Sequence, residues 1–133
     1  MKGYVENIEE ATLANEDFRR VLYTGKNLQL VLMTLEPGEE IGEEVHEDID
    51  QFFRVEEGQG TIYIDGNASK IEDDFAAIVP AGARHNVVNT GSEPLKLYTL
   101  YGPPEHKHGT VHRDKAQAER DHENEHFDGT TSE

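Results

Sequence analysis

The chain has 133 residues, no cysteine, and 28 acidic against 12 basic side chains, for a net charge of −16. That length builds one domain around one core. The charge excludes the basic footprint that nucleic acid or an anionic membrane needs, the missing cysteine excludes disulfides and thiolate-held metals, and the apolar runs are too short to span a membrane. In chain order, Asn7 is placed to cap a short helix, with Glu9 and Glu10 in its first turn where the helix dipole favours acids. Strand signals follow in "FRRVLYTG", closed by Gly25, and in the long apolar "NLQLVLMTLEPG", closed by Pro37-Gly38. "QFFRVEEGQG" is a third strand. "TIYIDGNASKIED" predicts a hairpin turning at Asp65-Gly66. "FAAIVPAG" and "RHNVVNTGSEPLKLYTLYG" add three more strands, the last two around a Gly-Ser-Glu-Pro turn. Strands parted by turns, with almost no helix, predict an all-β antiparallel sandwich or barrel.

The expected organisation is an N-terminal helix and strand arm over 1–27, a barrel over 28–102, and a polar, partly helical tail over 103–133. Residues 114–126 are polar nearly all round, so a helix there is expected to bury little. The last half-dozen residues are expected to be disordered. No apolar stretch follows Met1, which predicts a cytoplasmic protein rather than a secreted one. The acidic surplus has two readings, solubility through self-repulsion or a high-salt cytoplasm, and the second concerns habitat rather than function.

The histidines fall into two sets. His46 and His85 lie among the strands; His106, His108, His112, His122 and His126 lie in the tail. Metal ligands need rigid elements that converge, so the strand pair is the better ligand candidate. The tail set reads as a solvated segment, with a His-rich metal patch as the alternative. Without thiolates, any ion rests on nitrogen and oxygen donors.

The register around the two strand histidines resembles the cupins. Their first motif is a glycine, five residues, His-x-His, three or four residues, a glutamate, six residues and a glycine. Here it runs Gly38, Glu44-Val45-His46, Gln51, Gly58 with the same gaps. Their second motif is a glycine, five residues, Pro-x-Gly, two residues, a histidine, three residues and an asparagine. Here it runs Asp74, Pro80-Ala81-Gly82, His85, Asn89. Fifteen residues separate the motifs, and the resemblance covers roughly residues 28–102.

The resemblance implies an antiparallel double-sheet jelly-roll barrel, the small single-domain cupin, that pairs as a homodimer. Phe52 and the N-terminal "YVENI" are the expected contacts. It also implies one divalent transition metal (Fe, Mn, Ni, Zn, Co or Cu) on Glu44, His46, Gln51 and His85. Glutamate here replaces a histidine of the family, and Gln51 replaces its glutamate. Two imidazoles and one carboxylate match open iron(II) sites. The alternatives are a surface role for His46, another nearby acid in place of Glu44, and an orienting role for Gln51.

Phe53 shares a strand face with Gln51 and Val55 and, with Arg84 at the rim, is a candidate substrate-binding residue. For Phe53 the competing role is core packing, and for Arg84 it is neutralising nearby acids. Asn89 reads as a strand-end residue. The implied function is a metal-dependent enzyme on a small organic substrate, of dioxygenase or sugar/keto-isomerase type. The alternative is a barrel that binds a small molecule without turning it over, since no general base apart from the ligands is evident.

Overall fold

The computed structural model describes residues 1–133. Asn7 caps the first helix, α1 (Ile8–Ala14), its side chain accepting from the Glu10 N–H at 3.0 Å. Ten strands follow: β1 (Arg19–Thr24), β2 (Gln29–Leu35), β3 (Glu44–Val45), β4 (Asp50–Glu57), β5 (Gln59–Ile64), β6 (Asn67–Glu72), β7 (Ala76–Val79), β8 (Arg84–Val88), β9 (Leu95–Gly102) and β10 (Val111–His112). A second helix, α2 (Lys115–Asp121), runs into a 3-10 turn at His122–Asn124. One sheet has six strands in the order β10-β1-β2-β9-β4-β7; the other has four, β3-β8-β5-β6. All pairings are antiparallel.

The expected jelly roll is thus present, as two stacked sheets that do not close into one continuous barrel. The Asp65-Gly66 turn links β5 to β6 with φ of 48° and 83°, the doubly left-handed geometry that suits a tight hairpin. Alternation then sorts the side chains. Val31, Met33 and Leu35 of β2, Phe53 and Val55 of β4, Val87 of β8, and Leu95 and Leu97 of β9 all point between the sheets and are buried. No helix is long and apolar enough to cross a membrane.

The sequence leaves the tail solvated and its end disordered, and the structure differs. Val111 and His112 add an edge strand to β1. The Glu133 carboxylate accepts from the Tyr23 hydroxyl at 2.6 Å and from the Lys2 N–H at 2.8 Å. His106 and His112 are buried. Polar residues dock here through hydrogen bonds rather than an apolar stripe: Ala118 is the one buried residue of α2.

Candidate functional site

Three elements bring the motif residues to one end of the sandwich. β3 and β8 pair so that Glu44 lies directly across from His85. His46 sits two residues on, on the Glu44 side, and its Nε2 is 3.4 Å from Glu44 Oε2. The His46 and His85 rings stand 5.3 Å apart, centre to centre. Gln51 enters from β4 in the opposite sheet and is buried.

Local hydrogen bonds orient these groups. His85 Nδ1 lies 3.1 Å from the Ala83 carbonyl. A carbonyl only accepts, so Nδ1 carries a proton, and in the neutral ring Nε2 is the nitrogen left with a lone pair. Gln51 Nε2 donates to Thr99 Oγ1 at 3.0 Å, while Gln51 Oε1 is buried with no partner. A buried acceptor left alone is costly and calls for a donor or a cation. Donors sharing an ion through bonds of about 2.0–2.2 Å stand about 3.0–3.4 Å apart. The Glu44–His46 spacing falls in that range, and the orphaned amide oxygen is a further neutral donor on the facing sheet. The donor set fits a divalent metal in chemistry and in part in geometry. No three His, Asp or Glu side chains are gathered closely enough to hold an ion as they stand.

The other expected residues lie differently. The Phe53 ring is 1% exposed and meets His85 edge-on, so it packs behind the site rather than lining an opening. Arg84 points outward and pairs with Glu43 at 2.8 Å, both side chains being largely exposed. Asn89 ties the strand end: its amide donates to the Leu35 and Glu93 carbonyls and its oxygen accepts from Gly91.

The tail supplies groups that sequence reasoning missed. Glu105 Oε2 lies 3.7 Å from His46 Nδ1, and Glu105 Oε1 lies 3.4 Å from His126 Nδ1. Burial pushes the Glu105 carboxyl above the usual carboxylate range, and His46 opposes the shift. Next to it, His106 bonds Glu125 through Nδ1, and its Nε2 accepts from the Tyr101 hydroxyl at 3.1 Å. Gln29 clamps the main chain there, accepting from His106 N–H and donating to His106 O. No sequence signal pointed to these groups; in the structure Gln51 pairs with Tyr101 and Asp50 with Gly102, so the chain leaving β9 emerges over the site.

Burial also drives His106 well below its ordinary pKa, with Arg19 adding to the shift. The unfolded chain therefore takes up a proton on this ring near pH ~6.5 that the folded chain refuses. The His106 contribution to stability is intact above that pH and is lost as pH falls below it, by up to about 1.4 kcal/mol per pH unit. His106→Gln keeps a donor for Glu125 and an acceptor for Tyr101. Its urea midpoint should fall less than the wild type's between about pH 8 and about pH 5. Parallel losses would remove His106 from the pH response.

A jelly roll of two stacked sheets, with paired imidazoles and an unpartnered amide at one end, defines the class. The Cupin domain profile matches residues 31–101, and the chain belongs to the cupin family. It is 48% identical over 123 residues to YrkC of Bacillus subtilis (strain 168), covering 88% of this chain and 66% of that one, so it spans about two thirds of that relative's length. A protein of Acanthamoeba polyphaga mimivirus is 38% identical over 112 residues, with 81% of this chain and 70% of the relative covered. The crystal structure of BH2720 from Bacillus halodurans superposes with a TM-score of 0.88 at 48% identity, covering 90% of this chain and 95% of that one.

Proposed function

We propose that this cupin binds one divalent transition metal on Glu44, His46 and His85, with Gln51 Oε1 as a fourth donor, and acts as an enzyme on a small organic substrate. The observation that carries the reading is the pair of imidazoles 5.3 Å apart beside Glu44, with an orphaned, buried Gln51 Oε1 on the facing strand β4. A bound ion would supply Lewis acidity, and a redox-active one would also support oxygen chemistry.

The chain's own groups favour turnover over simple binding. Glu105 is a half-buried carboxyl beside His46 with a raised affinity for a proton, suited to moving one at that spot. This supplies the base that the motifs alone lack. The Tyr101–His106–Glu125 chain holds the wall behind it and excludes water from Tyr101, which is 2% exposed. On the same reading the protein is a cytoplasmic homodimer. The outward ring of Phe52 against Tyr98 and the 68% exposed Ile78 support pairing through that sheet.

The test is elemental analysis of protein expressed without a histidine tag. Wild type should carry one transition ion per chain, and His46→Ala with His85→Ala should carry none. Gln51→Glu should bind the ion more tightly by adding charge; unchanged affinity would place Gln51 beside the ion rather than on it. A wild type free of metal, or a metal that survives the double substitution, refutes the reading.

A further inference from the structure

Four buried side chains form a square on the inner face of β4 and β9: Gln51 and Phe53 on one strand, Tyr101 and Thr99 on the other. Gln51 lies across from Tyr101, and Phe53 across from Thr99. The two aromatic corners each meet one imidazole. Tyr101 is edge-on to His46 with centroids 5.9 Å apart, and Phe53 is edge-on to His85 at 6.4 Å. The two polar corners occupy the other diagonal, a separation that side chains on neighbouring strands can bridge. They bond to each other: Gln51 Nε2 donates to Thr99 Oγ1 at 3.0 Å.

Thr99 is fully buried, with Val31 of β2 beside it, and its hydroxyl makes no other hydrogen bond. A valine has the same shape and would sit there without burying a hydroxyl. The hydroxyl therefore serves Gln51, and it leaves Gln51 Oε1 as the atom without a partner. For stability alone the pair is a poor choice, since it buries a hydroxyl and an amide for one hydrogen bond. Turning the amide over would let Thr99 donate to Oε1 and would present two N–H donors instead. Only the orientation seen here offers an oxygen to a cation.

We infer that Thr99 is a positioning residue for the metal site: its hydroxyl anchors the Gln51 nitrogen and so leaves the amide oxygen free as a neutral donor on the face that His46 and His85 meet. This rests on the proposed metal site and deepens it by naming what orients the fourth donor. Thr99 acts through Gln51 alone. A glutamate at position 51 would need no such anchor, because both of its oxygens accept. The amide needs one, because a cation attracts one of its ends and repels the other.

The test compares the full untagged wild type with Thr99→Val, Thr99→Ser, Gln51→Leu and the Thr99→Val/Gln51→Leu pair. Each chain is stripped with EDTA and titrated with cobalt(II) in competition with a chromophoric chelator. Thr99→Val should bind the ion about three- to tenfold more weakly, the worth of one hydrogen bond, and Thr99→Ser within about twofold of wild type. In the Gln51→Leu background, Thr99→Val should change affinity by less than about twofold, since its route to the ion is gone. Urea midpoints give a readout without metal. Thr99→Val alone should lower the midpoint, because it leaves Gln51 Nε2 buried and unpaired; the double substitution should restore the wild-type midpoint or exceed it. Thr99 is overturned, and the metal reading stands, if Thr99→Val binds like wild type, loses affinity equally in both backgrounds, or is not rescued by Thr99→Ser. A double variant less stable than Thr99→Val also overturns Thr99, because the pair then serves folding. A wild type that binds no cobalt(II) overturns both readings.

Discussion

Phe53→Ala should lower the unfolding free energy by about 3–5 kcal/mol, among the largest single effects available in this chain. The ring is 1% exposed and sits in the middle of β4, paired with Ala77 of β7 on one side and Thr99 of β9 on the other. Truncation removes its contacts with the core and leaves a cavity that two hydrogen-bonded neighbouring strands cannot close. Phe53→Leu should cost less, about 1–2 kcal/mol, because most of the volume remains. Urea denaturation of the three chains measures both. The same ring meets His85 edge-on, with centroids 6.4 Å apart, so Phe53→Ala should also loosen the imidazole. A loss within about 0.5 kcal/mol would instead mean that the ring lines an open pocket, as a substrate-binding residue would.

That difference between wall and core shows what was legible in the sequence. Alternation placed Gln51, Phe53 and Val55 on one face, and the structure buries all three. It did not say how deep each lies, because depth depends on what the opposing sheet delivers. Local chemistry was legible wherever the signal was local, as in the Asn7 cap and the Asp65-Gly66 turn. Motif spacing was legible too. Asp74 stands where the second motif has a glycine, and its φ of 72° shows that the unusual backbone survives the substitution.

The tail was not legible, for a physical reason. Its anchors are single polar contacts to residues far away in sequence: His106 to Gln29, His112 to Arg19, Glu133 to Tyr23. None of them leaves an apolar period. β10 is two residues long, and α2 buries only Ala118, so neither produces a pattern that a periodicity argument detects. Glu105 and Arg19, which line one cavity with Glu44, were invisible for the same reason. They flank the motif region at its two ends, and β1 and the tail bring them together only once the six-stranded sheet has formed.

The second large effect concerns the glycine that closes the first motif. Gly58→Ala should destabilise the chain by about 3 kcal/mol or more and lower the melting temperature by about 10 °C or more. Gly58 joins β4 to β5 with φ of 106°, a conformation that L side chains rarely adopt. A Cβ there would stand 2.7 Å from the Pro94 carbonyl oxygen and 2.9 Å from Leu95 Cα. Both are backbone atoms at the start of β9, and Leu95 is fully buried, so neither can move aside without disturbing the core. The Gly58 N–H also donates to Asp73 Oδ1 at 2.9 Å, which fixes the turn from the other side. Gly38, which opens the same motif, is the control. Its φ is 86°, but nothing lies within 4 Å of its added Cβ, so Gly38→Ala should cost only about 1 kcal/mol of backbone strain. Thermal melts of the two variants separate the causes. Equal losses would mean that positive φ alone explains both glycines. A much larger loss at Gly58 would mean that the motif keeps a glycine there because β4, which carries Gln51, must turn hard against β9, which carries Tyr101.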